Sequence, residues 1–204
     1  MLLFDFILTN SSKLNYFQVS VPVKMKCVTV TAPVNIAAIK YWGKRDSKLI
    51  IPVNDSLSFT LSQDDMCATT TAMLLPQSSP GAPPVKMWLN GEPVSVEDSP
   101  RVAAVIRSVK DLAESEKCKK EGLELPLRIA SVNNFPTAAG LASSAAGYAA
   151  LAAAVAAVYG VEESGTELSK IARIGSGSAC RSVFGGFVKW SAGKWLQIRC
   201  SDRS

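Results

Sequence analysis

A run of small residues at positions 133–147 has the composition of a phosphate-binding loop. Pro136 and Gly140 interrupt regular structure, and the Gly and Ala side chains let an anion approach the backbone closely. Ser143 and Ser144 stand where an Ala-rich helix begins, and a helix start offers free N–H groups and a partial positive charge to a phosphate. Their hydroxyls can cap the helix, add donors or serve as a magnesium ligand. The same composition also suits a tightly packed buried helix, so both interpretations stay open for this run alone.

Residues 35–46 form a second anion-friendly segment, immediately after a predicted strand. It contains a glycine, two aromatic residues and nearby cations, among them Lys40, Tyr41, Trp42, Gly43 and Lys44. Clustered cations beside a glycine suit a diphosphate. The alternative is a solvated basic loop with packed rings.

The third segment, residues 175–181, contains small residues, two hydroxyls and Arg181. Backbone N–H groups and a planar bidentate donor can converge there on one anion, although a flexible Gly/Ser turn has the same composition. Three such segments in one small chain indicate a reaction between two anionic ligands. ATP and a phosphorylated substrate are the natural pair.

Other classes of function are excluded by composition. The 204 residues include no histidine, which removes Ser-His-Asp and Cys-His mechanisms and His-ligated metals. The five cysteines are far apart, so we predict no zinc site, no disulfide framework and a reducing, cytoplasmic location. The net charge of +5 is too small and scattered to indicate nucleic acid.

A membrane span is a further alternative, because no charge occurs between Arg128 and Glu162, which is longer than the about 20 residues that a span needs. Two asparagines, a proline and a helix of Ala rather than Leu argue against it. The apolar start, residues 1–8, lacks a basic region and is a poor signal peptide. We therefore predict no membrane association.

The elements that must position these segments follow from hydrophobic periodicity. We predict strands at 27–34, 56–61, 127–132 and 183–190, a hairpin formed by 86–89 and the turn Asn90-Gly91, and helices at 101–113, from 145 to a stop at Gly160, and at 167–173. Strands should dominate the first third of the chain.

The segments together resemble the GHMP kinase superfamily and, within it, the diphosphomevalonate decarboxylase family. The matching motifs are Pro136-x-x-x-Gly140-Leu141-x-Ser143-Ser144-Ala145, Ala32-Pro33-Val34-Asn35-Ile36-Ala37, Tyr41-Trp42-Gly43-Lys44-Arg45-Asp46 and Gly175-Ser176-Gly177-Ser178-Ala179-Cys180-Arg181. Ala142 stands where many members have Gly. The resemblance implies an α+β, GHMP-kinase-type N-terminal domain over residues 27–190, in which a mixed sheet has helices on one face. Residues 1–26 would be an atypical extension and 191–204 a divergent tail.

The resemblance also implies a reaction. ATP with Mg²⁺ would phosphorylate the tertiary hydroxyl of mevalonate 5-diphosphate, and loss of that phosphate with carbon dioxide would give isopentenyl diphosphate. The implied ATP-phosphate site is Pro136, Gly140, Leu141, Ala142, Ser143, Ser144 and Ala145. The implied substrate site is Tyr41, Trp42, Gly43, Lys44, Lys86, Ser176, Gly177, Ser178, Ala179, Cys180 and Arg181. The implied catalytic residues are Lys40, Ser144 and Arg181, with Arg181 on the substrate carboxylate, and no metal site built from protein ligands is expected.

Two departures from the family qualify this expectation. Family members are about twice as long, and the aspartate thought to act on the substrate hydroxyl lies in the half that has no counterpart here. We therefore expect a truncated form that decarboxylates poorly. The alternatives are another small-molecule kinase of the superfamily, a non-catalytic binding module, or a partner of the full-length enzyme, whose family is expected to form homodimers.

Overall fold

The computed structural model describes residues 15–18, 26–76, 81, 83–115, 122–136, 143–161 and 165–193. Its strands are β1 (Asn15–Gln18), β2 (Lys26–Pro33), β3 (Asn35–Ile39), β4 (Lys44–Asp46), β5 (Ile51–Pro52), β6 (Ser56–Thr60), β7 (Cys67–Leu74), β8 (Val85–Leu89), β9 (Glu92–Val94), β10 (Leu127–Asn133) and β11 (Phe187–Trp190). Its helices are α1 (Pro100–Ser115), α2 (Ser143–Tyr159), α3 (Gly165–Gly175) and α4 (Ala179–Ser182).

The strands form a mixed α+β arrangement of separate sheets. The main sheet has the order β1-β2-β7-β10-β8-β9, and the small sheet has the order β11-β6-β3. Within the described part of the main sheet, β8 and β10 pair in parallel, whereas the other neighbours are antiparallel. Strands β4 and β5 form a separate two-stranded ribbon.

The main sheet follows the ordinary rule that alternate side chains face the core. In β2 and β7 every second residue is buried, including Val28, Val30, Ala72 and Leu74. The opposite face has threonines at the alternate positions, and the Thr29 and Thr71 hydroxyls meet across the two strands at 2.8 Å. The buried face receives helix α2.

Helix α2 is the centre of the core. It packs on β2, β7 and β10 and also contacts α1, α3 and α4, so it is buried on nearly all sides. A helix enclosed in this way needs small apolar side chains all round, which explains its alanine content. It ends at Gly160, which has a φ of +76°. Hydrogen bonds from Gly160 N to Ala157 O and from Val161 N to Ala156 O complete a Schellman cap.

The small sheet reverses the usual pattern of burial. Its inward face has three buried polar residues, Asn35, Ser56 and Ser58, each at most 2% exposed, beside the apolar Ala37 and Trp190. Its outward face is apolar, with Phe59 39% and Phe187 85% exposed. Phe59 and Phe187 are direct partners across β6 and β11.

Most predicted elements are confirmed, and three segments differ. The strand predicted at 183–190 is present only as β11, because Val183 is the C-cap of α4 and Gly186 has a φ of +71°, so the chain becomes extended only from Phe187. The segment 35–46, predicted as a loop, contains β3 and β4, and the run 175–181 contains the end of α3 and most of α4. Strand β7 was not predicted. None of the helices in the described residues is long and apolar enough to cross a membrane.

Candidate functional site

Arg181 is the buried charge around which the candidate site is built. It lies in the single turn of α4 and is 4% exposed. Its Nε donates a hydrogen bond to Asn35 Oδ1 at 3.2 Å, and its Nη1 donates to Ser56 Oγ at 3.1 Å. The small sheet thus turns its polar face inward in order to hold this side chain.

Two aromatic rings enclose the Arg181 guanidinium. Its Cζ lies 5.8 Å from the centre of the Tyr41 ring and 5.9 Å from that of Trp190. The two rings meet edge to face, with centroids 4.8 Å apart and planes inclined at 61°. Cation–π contacts of this kind stabilise a desolvated cation and restrict its movement.

Arg181 nevertheless has no acidic partner among the described residues. Burial lowers the pKa of its guanidinium, although an arginine remains charged in proteins. Of its three nitrogens, Nε and Nη1 have acceptors within the described part of the chain, and Nη2 has none. A buried cation without a counter-ion is costly, so this arrangement favours binding of an anion.

The turn between α3 and α4 brings small residues against Arg181 and Tyr41. Ala179 N donates to Ser176 O at 2.8 Å, and Cys180 Sγ donates to Gly177 O at 3.1 Å. A Cβ on Gly177 would lie 2.6 Å from the Tyr41 hydroxyl, so only glycine allows this approach. The Ser178 hydroxyl makes no cap bond to α4 and is available to a ligand.

Cys180 is a structural thiol in this turn. Burial raises the pKa of Cys180 to about 12, against an ordinary value of 9.0. The thiol is therefore neutral at physiological pH, and neutral buried thiols are poor nucleophiles. Its predicted place in the substrate site is as part of the wall.

The segment that contains Tyr41 is held by Asn54, which the sequence analysis did not single out. Trp42 N donates to Asn54 Oδ1 at 2.8 Å, and Asn54 Nδ2 donates to Lys40 O at 3.1 Å. Gly43 permits the turn into β4 with a φ of +59°. Lys40 and Lys44 are exposed and Trp42 is 72% exposed, so the turn presents cations and a ring to solvent.

The start of α2 adjoins this group through two hydroxyls. Ser144 Oγ lies 3.4 Å from Ser176 Oγ, which is proximity rather than a strong hydrogen bond. Gly175 packs so closely on Tyr148 that an added Cβ would lie 2.1 Å from that ring. The nucleotide and substrate segments predicted from the sequence therefore meet at the ends of α2 and α3.

Other predicted site residues have different placements. Gly140, Leu141 and Ala142 lie outside the described residues, whereas Pro136 is exposed, Ser143 is half-buried and Ala145 is buried. Lys86 is exposed on β8 of the main sheet, in register with Arg128, rather than on the small sheet that holds Arg181. Among the described residues, no group of three or more acidic or Cys side chains could hold a metal ion.

The sequence analysis missed the partners of Arg181. Asn35 and Ser56 are separated from it by 146 and 125 positions, and Trp190 was seen only as a strand end. One sequence signal for the buried polar face of β6 was available. The alternation Ser56-Leu57-Ser58-Phe59 predicts a strand with one polar face, and a polar face that is buried must bind something.

The fold and the site together define a class of protein, an α+β domain in which a buried arginine, without an acidic partner in the described part of the chain, lies on a short helix that packs against α2. A model of the diphosphomevalonate decarboxylase-like N-terminal domain matches residues 32–201. Human diphosphomevalonate decarboxylase is 52% identical over 176 residues, covering 83% of this chain and 42% of the human protein. The chain belongs to the diphosphomevalonate decarboxylase family.

Solved structures agree with this assignment. The mevalonate diphosphate decarboxylase from Trypanosoma brucei matches with a TM-score of 0.71 and 44% identity, covering 83% of this chain and 42% of that one. The structure of MDDEF in complex with MVAPP, AMPPCP and magnesium matches with a TM-score of 0.68 and 39% identity, covering 83% and 48%. The chain thus spans about two fifths of the length of the curated relatives that it matches.

Proposed function

We propose that this chain binds mevalonate 5-diphosphate and ATP for the phosphorylation and decarboxylation that yield isopentenyl diphosphate, a step of isoprenoid and sterol synthesis. The observation that supports this most is the buried Arg181 guanidinium without an acidic partner. A substrate carboxylate would supply the missing charge through a strong, charge-assisted hydrogen bond. Ser176 and Ser178 would help to place it.

The diphosphate of the substrate and the phosphates of ATP have separate candidate sites. Tyr41 and Lys44 would bind the diphosphate of the substrate, and Lys40 would lie beside the reacting groups. Ser144 would contact the ATP phosphates at the start of α2, where the helix field favours anions. Magnesium would be held mainly by those phosphates, with a serine hydroxyl as ligand, which suits the scarcity of protein ligands among the described residues.

We further propose that the chain alone turns over poorly. Asp46 and Asp55 are the carboxylates next to the cationic segment, and both are already engaged. Asp46 accepts two backbone N–H groups, whereas Asp55 pairs with Lys189 at 2.9 Å, and these hydrogen bonds lower the pKa of each carboxyl. Neither is free to act as a base on a substrate hydroxyl. Cytoplasmic location, a homodimer and the absence of nucleic-acid or membrane partners stay predictions.

Titration of mevalonate 5-diphosphate into wild-type and Arg181→Gln chains by calorimetry tests the binding proposal. Removing the cation should weaken binding on the order of a hundredfold, because loss of one partner of a buried charge pair costs about 2–5 kcal/mol. Arg107→Gln, which alters an exposed cation on α1, is the matched control and should leave affinity unchanged. Equal affinities for wild type and Arg181→Gln would refute the role of Arg181.

A coupled assay of ATP-dependent carbon dioxide release tests turnover. We expect little or no release from the chain alone under conditions in which a full-length relative is active. Turnover comparable with that relative would contradict the proposal that the chain is poorly active, and it would leave the binding proposal standing.

A further inference from the structure

Ser56 is a buried polar residue at the centre of the small sheet. It is 1% exposed and lies on β6, opposite Trp190 of β11. Its hydroxyl oxygen accepts the hydrogen bond from Arg181 Nη1 at 3.1 Å. Burying a hydroxyl in a sheet is unfavourable unless it is hydrogen-bonded, and here its recorded partner is the cation of the candidate site.

Ser58 provides an internal comparison on the same strand. It is 0% exposed and faces the same side of β6, two residues along. Its Oγ donates to Val188 O at 3.1 Å, so it joins β6 to β11 and does not contact Arg181. Two serines that are almost equally buried on the same face of β6 therefore have different partners, Arg181 for Ser56 and the Val188 carbonyl for Ser58.

The bond to Ser56 decides which part of the guanidinium remains available. Nε is fixed by Asn35, whose own amide donates to Thr60 Oγ1 at 3.0 Å. Nη1 is fixed by Ser56, and the Trp190 ring blocks displacement of the guanidinium plane. Nη2 is the nitrogen left for an anion, and its direction is set by the other two contacts.

We propose that Ser56 is a positioning residue, which orients Arg181 so that Nη2 meets the carboxylate of the substrate. This inference rests on the proposed function, because it assumes that Arg181 binds that carboxylate. It assigns to Ser56 a role in discriminating ligands that have a carboxylate from ligands that lack it. Without the bond from Nη1, the guanidinium can rotate about its Nε contact, and Nη2 is no longer directed towards the substrate carboxylate.

The test compares two diphosphates, of which only one has a carboxylate. Mevalonate 5-diphosphate has this group and a tertiary hydroxyl, whereas isopentenyl diphosphate has neither, so the ratio of their affinities includes the contribution of Arg181, and the change in this ratio on Arg181→Gln isolates it. Ser56→Ala should lower this ratio about tenfold, equivalent to about 1.4 kcal/mol, with little change in affinity for isopentenyl diphosphate. Ser58→Ala is the matched control and should change the ratio by less than about twofold.

A double-mutant cycle with Arg181→Gln separates positioning from direct contact. If Ser56 acts through Arg181, Ser56→Ala should have no further effect on the ratio when Arg181→Gln is already present. An equal effect in both backgrounds would overturn the proposal. So would an equal loss of affinity for both diphosphates, which indicates a merely structural role.

The outcomes also separate this inference from the function on which it rests. A wild-type chain that does not prefer mevalonate 5-diphosphate would refute the proposed function and this inference with it. A wild-type preference that Ser56→Ala retains would refute the inference alone. If the alanine variant does not fold, Ser56→Cys keeps an atom at the γ position, replaces the strong acceptor with a weak one, and gives the same test.

Discussion

The main sheet and the small sheet obey opposite rules of burial. In the main sheet most buried positions are apolar, as at Val30 and Leu127, the buried Thr70 and Ser131 hydrogen-bond to each other at 2.9 Å, and the partly exposed face has threonines. In the small sheet Asn35, Ser56 and Ser58 are buried, while Leu57 and its apolar neighbours face outward. The first arrangement supplies stability through the hydrophobic effect, and the second gives up that contribution in order to surround Arg181 with acceptors.

This difference indicates where the chain places stability and where it places function. A polar inner face is tolerated because the apolar core between the main sheet and α2 is large enough to offset it. Binding sites commonly break the local rule that the rest of a fold obeys. The comparison predicts that equivalent substitutions in the two sheets have different consequences.

The largest expected effect comes from the same truncation in the two sheets. Leu127→Ala removes a side chain that is 0% exposed on β10, and it should lower the free energy of unfolding by about 2–5 kcal/mol. Leu57→Ala removes one that is 38% exposed on β6, and it should cost less than about 1 kcal/mol. Urea unfolding measures both values. Equal losses would show that the outward face of the small sheet contributes as much to stability as the core does.

The second prediction concerns alkaline pH. Burial raises the pKa of Cys180, near the small sheet, to about 12 from an ordinary 9.0, and raises that of Tyr159, in α2, to about 12 from 10.0. For Tyr159 the charge of Glu124 adds to the effect of burial. Each group stays protonated in the folded chain after the unfolded chain has lost its proton. Stability should therefore be complete below about pH 9 and fall as pH rises towards 12, by at most about 1.4 kcal/mol per pH unit for each group.

Urea unfolding at several pH values, compared among variants, assigns this alkaline loss to the two regions. Cys180→Ala should remove the part that begins near pH 9.0, and Tyr159→Phe the part that begins near pH 10.0. Cys67→Ala serves as the control, because Cys67 is only half-buried on β7. An alkaline slope that both substitutions leave unchanged would rule out these two groups as its source.

The same contrast explains how much the sequence could predict. Strand β10 and helix α1 were predicted because their apolar residues recur at the periods of a strand and a helix. Strand β7 was missed because Cys67–Leu74 has three consecutive threonines, and two of its four buried residues are small alanines, which gives a weak apolar signal. Strand β3 was missed because it is short and runs into a cationic segment that was interpreted as a loop, and helix α4 was missed because the glycines and serines before it suggested a turn.

The site was predicted in part for a related reason. Short motifs identified Tyr41, Ser176 and Arg181, because residues that meet a phosphate or a carboxylate need particular types at close spacing. The side chains that hold Arg181 come from distant strands, and the local alternation at residues 56–59 indicates a polar face but not its partner. Asn35 lay inside a matched motif but received no role, and Ser56 lay in a predicted strand whose buried face could not be inferred.

The smallest expected effects come from a pair of Gly→Ala substitutions, and they should differ in sign. Gly177 lies beside the small sheet, where an added Cβ would come within 2.6 Å of the Tyr41 hydroxyl. Gly177→Ala must displace that ring and should lower the free energy of unfolding by about 1–2 kcal/mol, as overpacking does. Gly147 lies inside α2, and among the residues that the structure describes an added Cβ there would meet nothing within 4 Å apart from the backbone of its own helix.

Gly147→Ala should therefore raise the free energy of unfolding by about 0.5–1 kcal/mol, because alanine restricts the unfolded chain and favours the helix. Urea unfolding of both variants gives the two signs directly. A loss of stability on Gly147→Ala would show that the start of α2 needs glycine for a reason other than helix propensity. If Gly147→Ala raises the free energy of unfolding and Gly177→Ala lowers it, helix α2 can be stabilised by an added methyl group, whereas the surroundings of Arg181 cannot.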